Sequence, residues 1–117
     1  MALPAQAQTP EGKSVPYSAR TRESRSAVER TASTRCISQA TNALGDYSGP
    51  QAARENAAGA FFMACVLKQM PQDWPLARDM QEQAARMAVA ARAADPNIDI
   101  CLLTACKAEP GSQEATK

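Results

Sequence analysis

The chain contains no histidine, and that absence excludes every chemistry that needs an imidazole as base, acid or metal ligand. Aromatic residues are scarce: Tyr17, Tyr47, Phe61, Phe62 and Trp74. Five glycines are scattered with no phosphate-cradling loop among them. No run of about 18 apolar residues exists, so no transmembrane span is expected. Charge of one sign is also missing. The formal net charge of +1 argues against a general nucleic-acid binder, which carries a strong basic excess.

What remains is 117 residues rich in alanine, with methionine and leucine on the apolar side, and four cysteines. The length predicts one domain. A core of Ala, Met, Leu and Val buries little area per residue, and a domain this small hides only ~60–65% of its unfolded surface. Two disulfides, worth about 2–4 kcal/mol each, would offset that weakness. An even cysteine count in a small chain fits an oxidising compartment.

The first residues, Met1 to Gln8, agree with that expectation. Ala5 and Ala7 occupy the two small-residue positions of an A-x-A signal-peptidase site. The charged start and apolar run that belong before such a site are not in the chain. The expectation is that Met1 stands in their place and that the native product is periplasmic or secreted. A meaningless Ala/Gln-rich leader is the alternative.

Residues 1–19, with Pro4, Pro10, Gly12 and Pro16, read as a disordered leader, and residues 108–117 as a disordered tail. Residues 20–107 read as an all-α domain, a small antiparallel bundle of three main helices and a short fourth. The first is expected over Thr21–Leu44, where Val28, Ala32, Cys36, Ala40 and Ala43 recur at three- and four-residue steps. Ile37 and Leu44 widen the stripe, Arg25 and Glu29 are spaced as an outer i,i+4 pair, and Gly45 supplies a left-handed stop. The second begins near Pro50, capped by Ser48 or Gly49, and runs to Met70. Its half from Ala60 to Leu67 is apolar all round, which places it in the middle of the bundle. The third spans Trp74–Ala94, with Asp73 as cap, Pro75 in the first turn, and Leu76, Met80, Ala84, Met87 or Ala88, and Ala91 facing inward. The last covers Ile98 to Lys107.

Cys36, Cys65, Cys101 and Cys106 allow three pairings. On a continuous helix Cys101 and Cys106 would lie about 8 Å apart, too far for a disulfide. Counting height from the shared end of an antiparallel bundle matches Cys36 with Cys101 and Cys65 with Cys106, with the crossed arrangement next. Zinc is disfavoured because the cysteines are separated by 29, 36 and 5 positions, with no C-x-x-C pair. The same spacing disfavours thiol redox catalysis.

No serine has a plausible base, and Asp73, Asp79 and Glu82 sit near arginines as salt-bridge partners would. The expectation is therefore no enzyme, no cofactor and no metal. The best-fitting role is a small exported bacterial protein that binds another protein of the cell envelope. It would be either an immunity or inhibitor protein or an accessory component of a secretion or conjugation apparatus. Three other classes stay open. One is a carrier or chaperone with an apolar cavity lined by Met63, Met70, Met80 and Met87. Another is a host-directed effector, and the third is an intracellular regulator with free thiols. The candidate interaction surface comprises Trp74, Tyr47, Arg22 and Arg25. For Trp74 the favoured reading is packing, closing the bundle end like a hydrophobic staple, over that of a recognition anchor.

Overall fold

A computed structural model of the chain describes residues 15–106 and Ala108. The predicted signal-peptide remnant and nearly all of the predicted tail lie outside the described residues. Four α-helices follow one another: α1 (Arg22–Leu44), α2 (Gln51–Gln69), α3 (Ala77–Ala94) and α4 (Ile100–Thr104). The predicted all-helical architecture is what forms, and α2 is its hub, with α1, α3 and α4 all packed against it. Among the described residues no helix is long and apolar enough to cross a membrane.

The core follows the stripes. Ala32, Cys36, Ala40 and Leu44 of α1 are buried against Ala53, Ala57, Ala60, Phe61, Cys65 and Val66 of α2 and its neighbours. Alanine dominates because it lets helix axes approach closely, and α3 carries this furthest, with Ala91 as its one buried residue among those described. Close approach also explains Gly59. A Cβ there would meet Sδ and Cε of Met87, on α3, at 2.5 Å. Those atoms end a flexible side chain and can swing aside, while glycine inside a helix costs about 1 kcal/mol relative to alanine. Gly59→Ala is therefore expected to leave stability unchanged or raise it by up to about 1 kcal/mol in urea unfolding. A comparable loss would show that the Met87 contact is rigid.

The helix ends differ from expectation in instructive ways. Thr21 caps α1, accepting from the Ser24 amide at 3.0 Å. Gly45 does not turn left-handed. Its φ is −60°, and the helix tightens through Gly45 N–H to Asn42 O. The last carbonyls are satisfied from α2 instead, where Arg54 donates to Leu44 O at 2.7 Å and to Tyr47 O. Pro50 is itself the N-cap of α2, displacing Ser48 and Gly49 from that role. The third helix starts three residues later than predicted, because Trp74 to Leu76 form turns, with Trp74 N–H bonded to Pro71 O and Ala77 N–H to Trp74 O. Asp99 caps α4 through the Cys101 amide. Ile37, predicted to widen the buried stripe, is 58% exposed.

The disulfide pairing corrects the sequence reading. Cys36 joins Cys65, and Cys101 joins Cys106. The height argument assumed that α1 and α2 meet at a common level. Leu44, however, shares a groove with Arg54 and Ala58, so α1 ends opposite the second turn of α2. That offset brings Cys36 level with Cys65, with Cα atoms 5.6 Å apart. The distance objection to Cys101–Cys106 assumed a continuous helix. The helix stops at Thr104, Ala105 takes the left-handed conformation at φ 53°, and the chain folds back to a Cα separation of 5.0 Å.

Candidate functional site

At one end of the bundle the chain before α1 is built into the domain. Tyr17–Ala19 form a 3-10 turn, a correction to the leader predicted through residue 19. Asp73, expected to cap the third helix, holds this turn instead. Its carboxylate accepts from the Tyr17 amide at 2.7 Å and from the Ser18 amide at 2.9 Å. Arg25 closes the other side, donating to Tyr17 O at 2.9 Å and to Ser18 O at 3.2 Å, with its guanidinium 4.9 Å from the Tyr17 ring centre. Glu29 does not serve as Arg25's outer partner. One of its oxygens accepts from the Tyr17 hydroxyl at 2.8 Å and from Trp74 Nε1 at 3.0 Å.

The electrostatics follow from these contacts. The Ser18 and Tyr17 amides stabilise the ionised form of Asp73 and hold its carboxyl below the ordinary value of 3.8. The hydrogen bond to Glu29, followed by burial, raises the Tyr17 hydroxyl above 10. A depressed carboxyl contributes to docking above its unfolded value, and that contribution is lost as pH falls through the lower, folded value. The turn is therefore expected to release in acid. The amide NMR shifts of Tyr17 and Ser18 should move together as pH falls below the ordinary carboxyl value of 3.8. In Asp73→Ala the same amides should be released at neutral pH. Identical shifts in variant and parent would remove Asp73 from this role.

Of the sequence-predicted surface residues, the structure brings Trp74 and Arg25 to this one cluster. Trp74 is buried there, at 6% exposure, which matches its packing reading and not that of a surface anchor. Arg22 is exposed at the first position of α1. Tyr47 lies beyond the other end of α1, about 34 Å of helix away. It is half-buried, its hydroxyl donates to Asp95, and burial followed by that bond pushes its pKa up to about 12. All four cysteines are in disulfides. Among the described residues no group of three or more Cys, Asp or Glu side chains is placed to hold a metal ion.

Two recesses flank α2. The first, about 490 Å³, opens between α1 and α2 and is lined by Ile37, Ala40, Thr41, Leu44, Ala58, Gly59 and Phe62, with Arg54 at one end. Its lining is mostly apolar, with Thr41 and Arg54 the polar members. The sequence carried a signal for it, namely Ile37 beside the α1 stripe and Phe62 beside the buried Phe61, which together give more apolar surface than one helix interface consumes. The second, about 430 Å³, is walled by Asn42, Ala43, Asp46, Tyr47, Phe61, Asp99, Cys101 and Leu102. The four methionines expected to line a cavity lie elsewhere: Met70 is buried in the core, and none of the four lines either recess.

No protein-family model matches the chain, and neither a curated protein nor a solved structure matches it.

Proposed function

We propose that the protein is an exported, non-catalytic binding protein that receives the apolar face of another protein in the groove between α1 and α2. The single observation that carries this reading is the groove itself. It is about 490 Å³ in volume, mostly apolar, and bordered by Ile37, which at 58% exposure is the one large apolar side chain of α1 or α2 left exposed. Two parallel ridges of helix with an apolar trough between them suit an amphipathic helix laid along the trough. The two disulfides support an oxidising compartment, hence a periplasmic or secreted setting. The carboxylates Asp73, Glu29, Asp95 and Asp99 are engaged as structural acceptors, which supports binding over acid–base chemistry. An immunity or inhibitor role and an accessory role in a secretion or conjugation apparatus both fit such a groove.

The test compares the parent protein with Ile37→Asp in pull-downs from cell-envelope extract, with circular dichroism as a control for folding. A partner retained by the parent and lost by the folded variant supports the reading. No partner, or one retained equally by both, overturns it.

A further inference from the structure

The two disulfides are in opposite environments. Cys36 and Cys65 are 0% exposed, between α1 and α2. The Gln69 amide covers their sulfurs, its Nε2 lying 3.5 Å from each. Cys101 is half-buried and Cys106 is exposed. Thiol–disulfide exchange needs a thiolate to reach a sulfur directly, so access decides which bond reacts. Attack on Cys36–Cys65 requires α1 to part from α2, whereas attack on Cys106 requires no movement of the core.

The exposed bond also has something to release. Five residues are too few to hold a helix by themselves, so α4 depends on what fixes its ends. Asp99 caps the start. At the far end the disulfide closes over a left-handed alanine, a conformation unfavourable to a residue with a Cβ. That turn presents Ala105 O to Lys68 Nζ on α2 and keeps Leu103 and Ala105 buried. Residues Asp99, Cys101 and Leu102 form one wall of the second recess, facing Asp46, Tyr47 and Phe61.

We infer that Cys101–Cys106 is a thiol–disulfide exchange site, opened by a dithiol reductant while Cys36–Cys65 stays closed, and that its opening releases the α4 wall of the recess at Asp46, Tyr47 and Phe61. A reductant thiolate attacks Cys106 Sγ and forms a mixed disulfide. Cys101 leaves as a thiolate and takes up a proton. The reductant's second thiol, deprotonated, then attacks its own sulfur in the mixed disulfide and expels the Cys106 thiolate, which is protonated in turn. The protein disulfide gains two electrons and the dithiol becomes a disulfide. With the ring open, Ala105 relaxes from its left-handed conformation, Lys68 loses its acceptor, and the recess loses a wall.

The experiment titrates the oxidised full chain with dithiothreitol, quenches with N-ethylmaleimide, and reads intact mass and peptide map. The expected result is a dominant species carrying two labels, on Cys101 and Cys106, with Cys36–Cys65 intact. In that species amide exchange in α4 should quicken by at least about tenfold, while that of α1 and α2 is unchanged. Cys101→Ser/Cys106→Ser should show the same fast exchange without reductant. Passage from no labels to four without a two-label species overturns the proposal, as do labels on Cys36 or Cys65 in the first step. So does α4 protection that stays at the parent level in the reduced species or the double variant.

Discussion

Replacing Cys36 and Cys65 together by alanine is expected to lower the unfolding free energy by about 3–4 kcal/mol, the largest loss available from any single cross-link in the domain. The bond closes a loop of 29 residues, and the entropy removed from the unfolded chain by a loop of that length corresponds to about 3.5 kcal/mol. Two further effects act in the same direction. Both cysteines are 0% exposed, so removal of their sulfurs leaves space in the α1–α2 core. The Gln69 amide also loses the sulfurs it covers. In a domain of about 90 residues such a loss is expected to lower Tm by about 15–25 °C. Removing Cys101–Cys106 should cost clearly less, because that ring spans only 5 positions and the short loop was never free to wander far. Urea and thermal unfolding of both double variants measure the difference. Equal losses, or a larger loss for Cys101–Cys106, would show that α4 and not the α1–α2 bond holds the core.

The contrast between the two bonds also shows where the sequence was readable. Stripes of small apolar residues at helical spacing located α1, α2 and α3, since burial of one face is what a helix in a small domain must achieve. The run from Ala60 to Leu67 correctly marked α2 as central. The pairing of the cysteines was not readable, because it depends on two features without a strong local signature. One is the vertical offset of α1 on α2, set by Arg54 reaching back to Leu44 and Tyr47. The other is the left-handed Ala105, which no propensity favours and which the disulfide and the Lys68 contact support.

Asp73 shows a third kind of limit. Its position before Trp74-Pro75 has every mark of a helix cap, and the local pattern is sound. A tertiary competitor takes the carboxylate instead: two amides of a turn 55 and 56 residues away in the chain. Once Asp73 is engaged there, Trp74 to Leu76 stay in turns and α3 begins at Ala77. The same competition redirects Arg25 and Glu29 from each other to Tyr17, and draws Trp74 inward. Two of the residues that looked like interaction surface, Arg25 and Trp74, are thus parts of one clamp with Asp73 and Glu29. The α1–α2 groove lies outside this clamp, and its signal in the sequence was apolar instead: Ile37 beside the α1 stripe and Phe62 beside Phe61.

Trp74→Ala is expected to cost about 3–5 kcal/mol, the range for deleting a large buried side chain. The indole is 6% exposed and belongs to the same apolar cluster as Val66 and Met70, with Tyr17 packed against that cluster. Its N–H is one of the two side-chain donors to Glu29 Oε2, so alanine removes packing and a hydrogen bond to a charged group at once. Trp74→Phe separates the two contributions. It keeps most of the apolar volume and removes the donor, for an expected loss of about 1.5–3 kcal/mol. The clamp should also loosen in Trp74→Ala, because Glu29 is then held by Tyr17 alone and the turn before α1 loses the ring it rests near. Urea unfolding of the two variants, with the Tyr17 and Ser18 amide shifts as a local readout, distinguishes the possibilities. A loss near the full range for alanine, an intermediate loss for phenylalanine and displaced Tyr17 and Ser18 shifts would establish Trp74 as the keystone of this end of the bundle. A loss below about 1 kcal/mol in Trp74→Ala would instead mean that the indole is dispensable to folding.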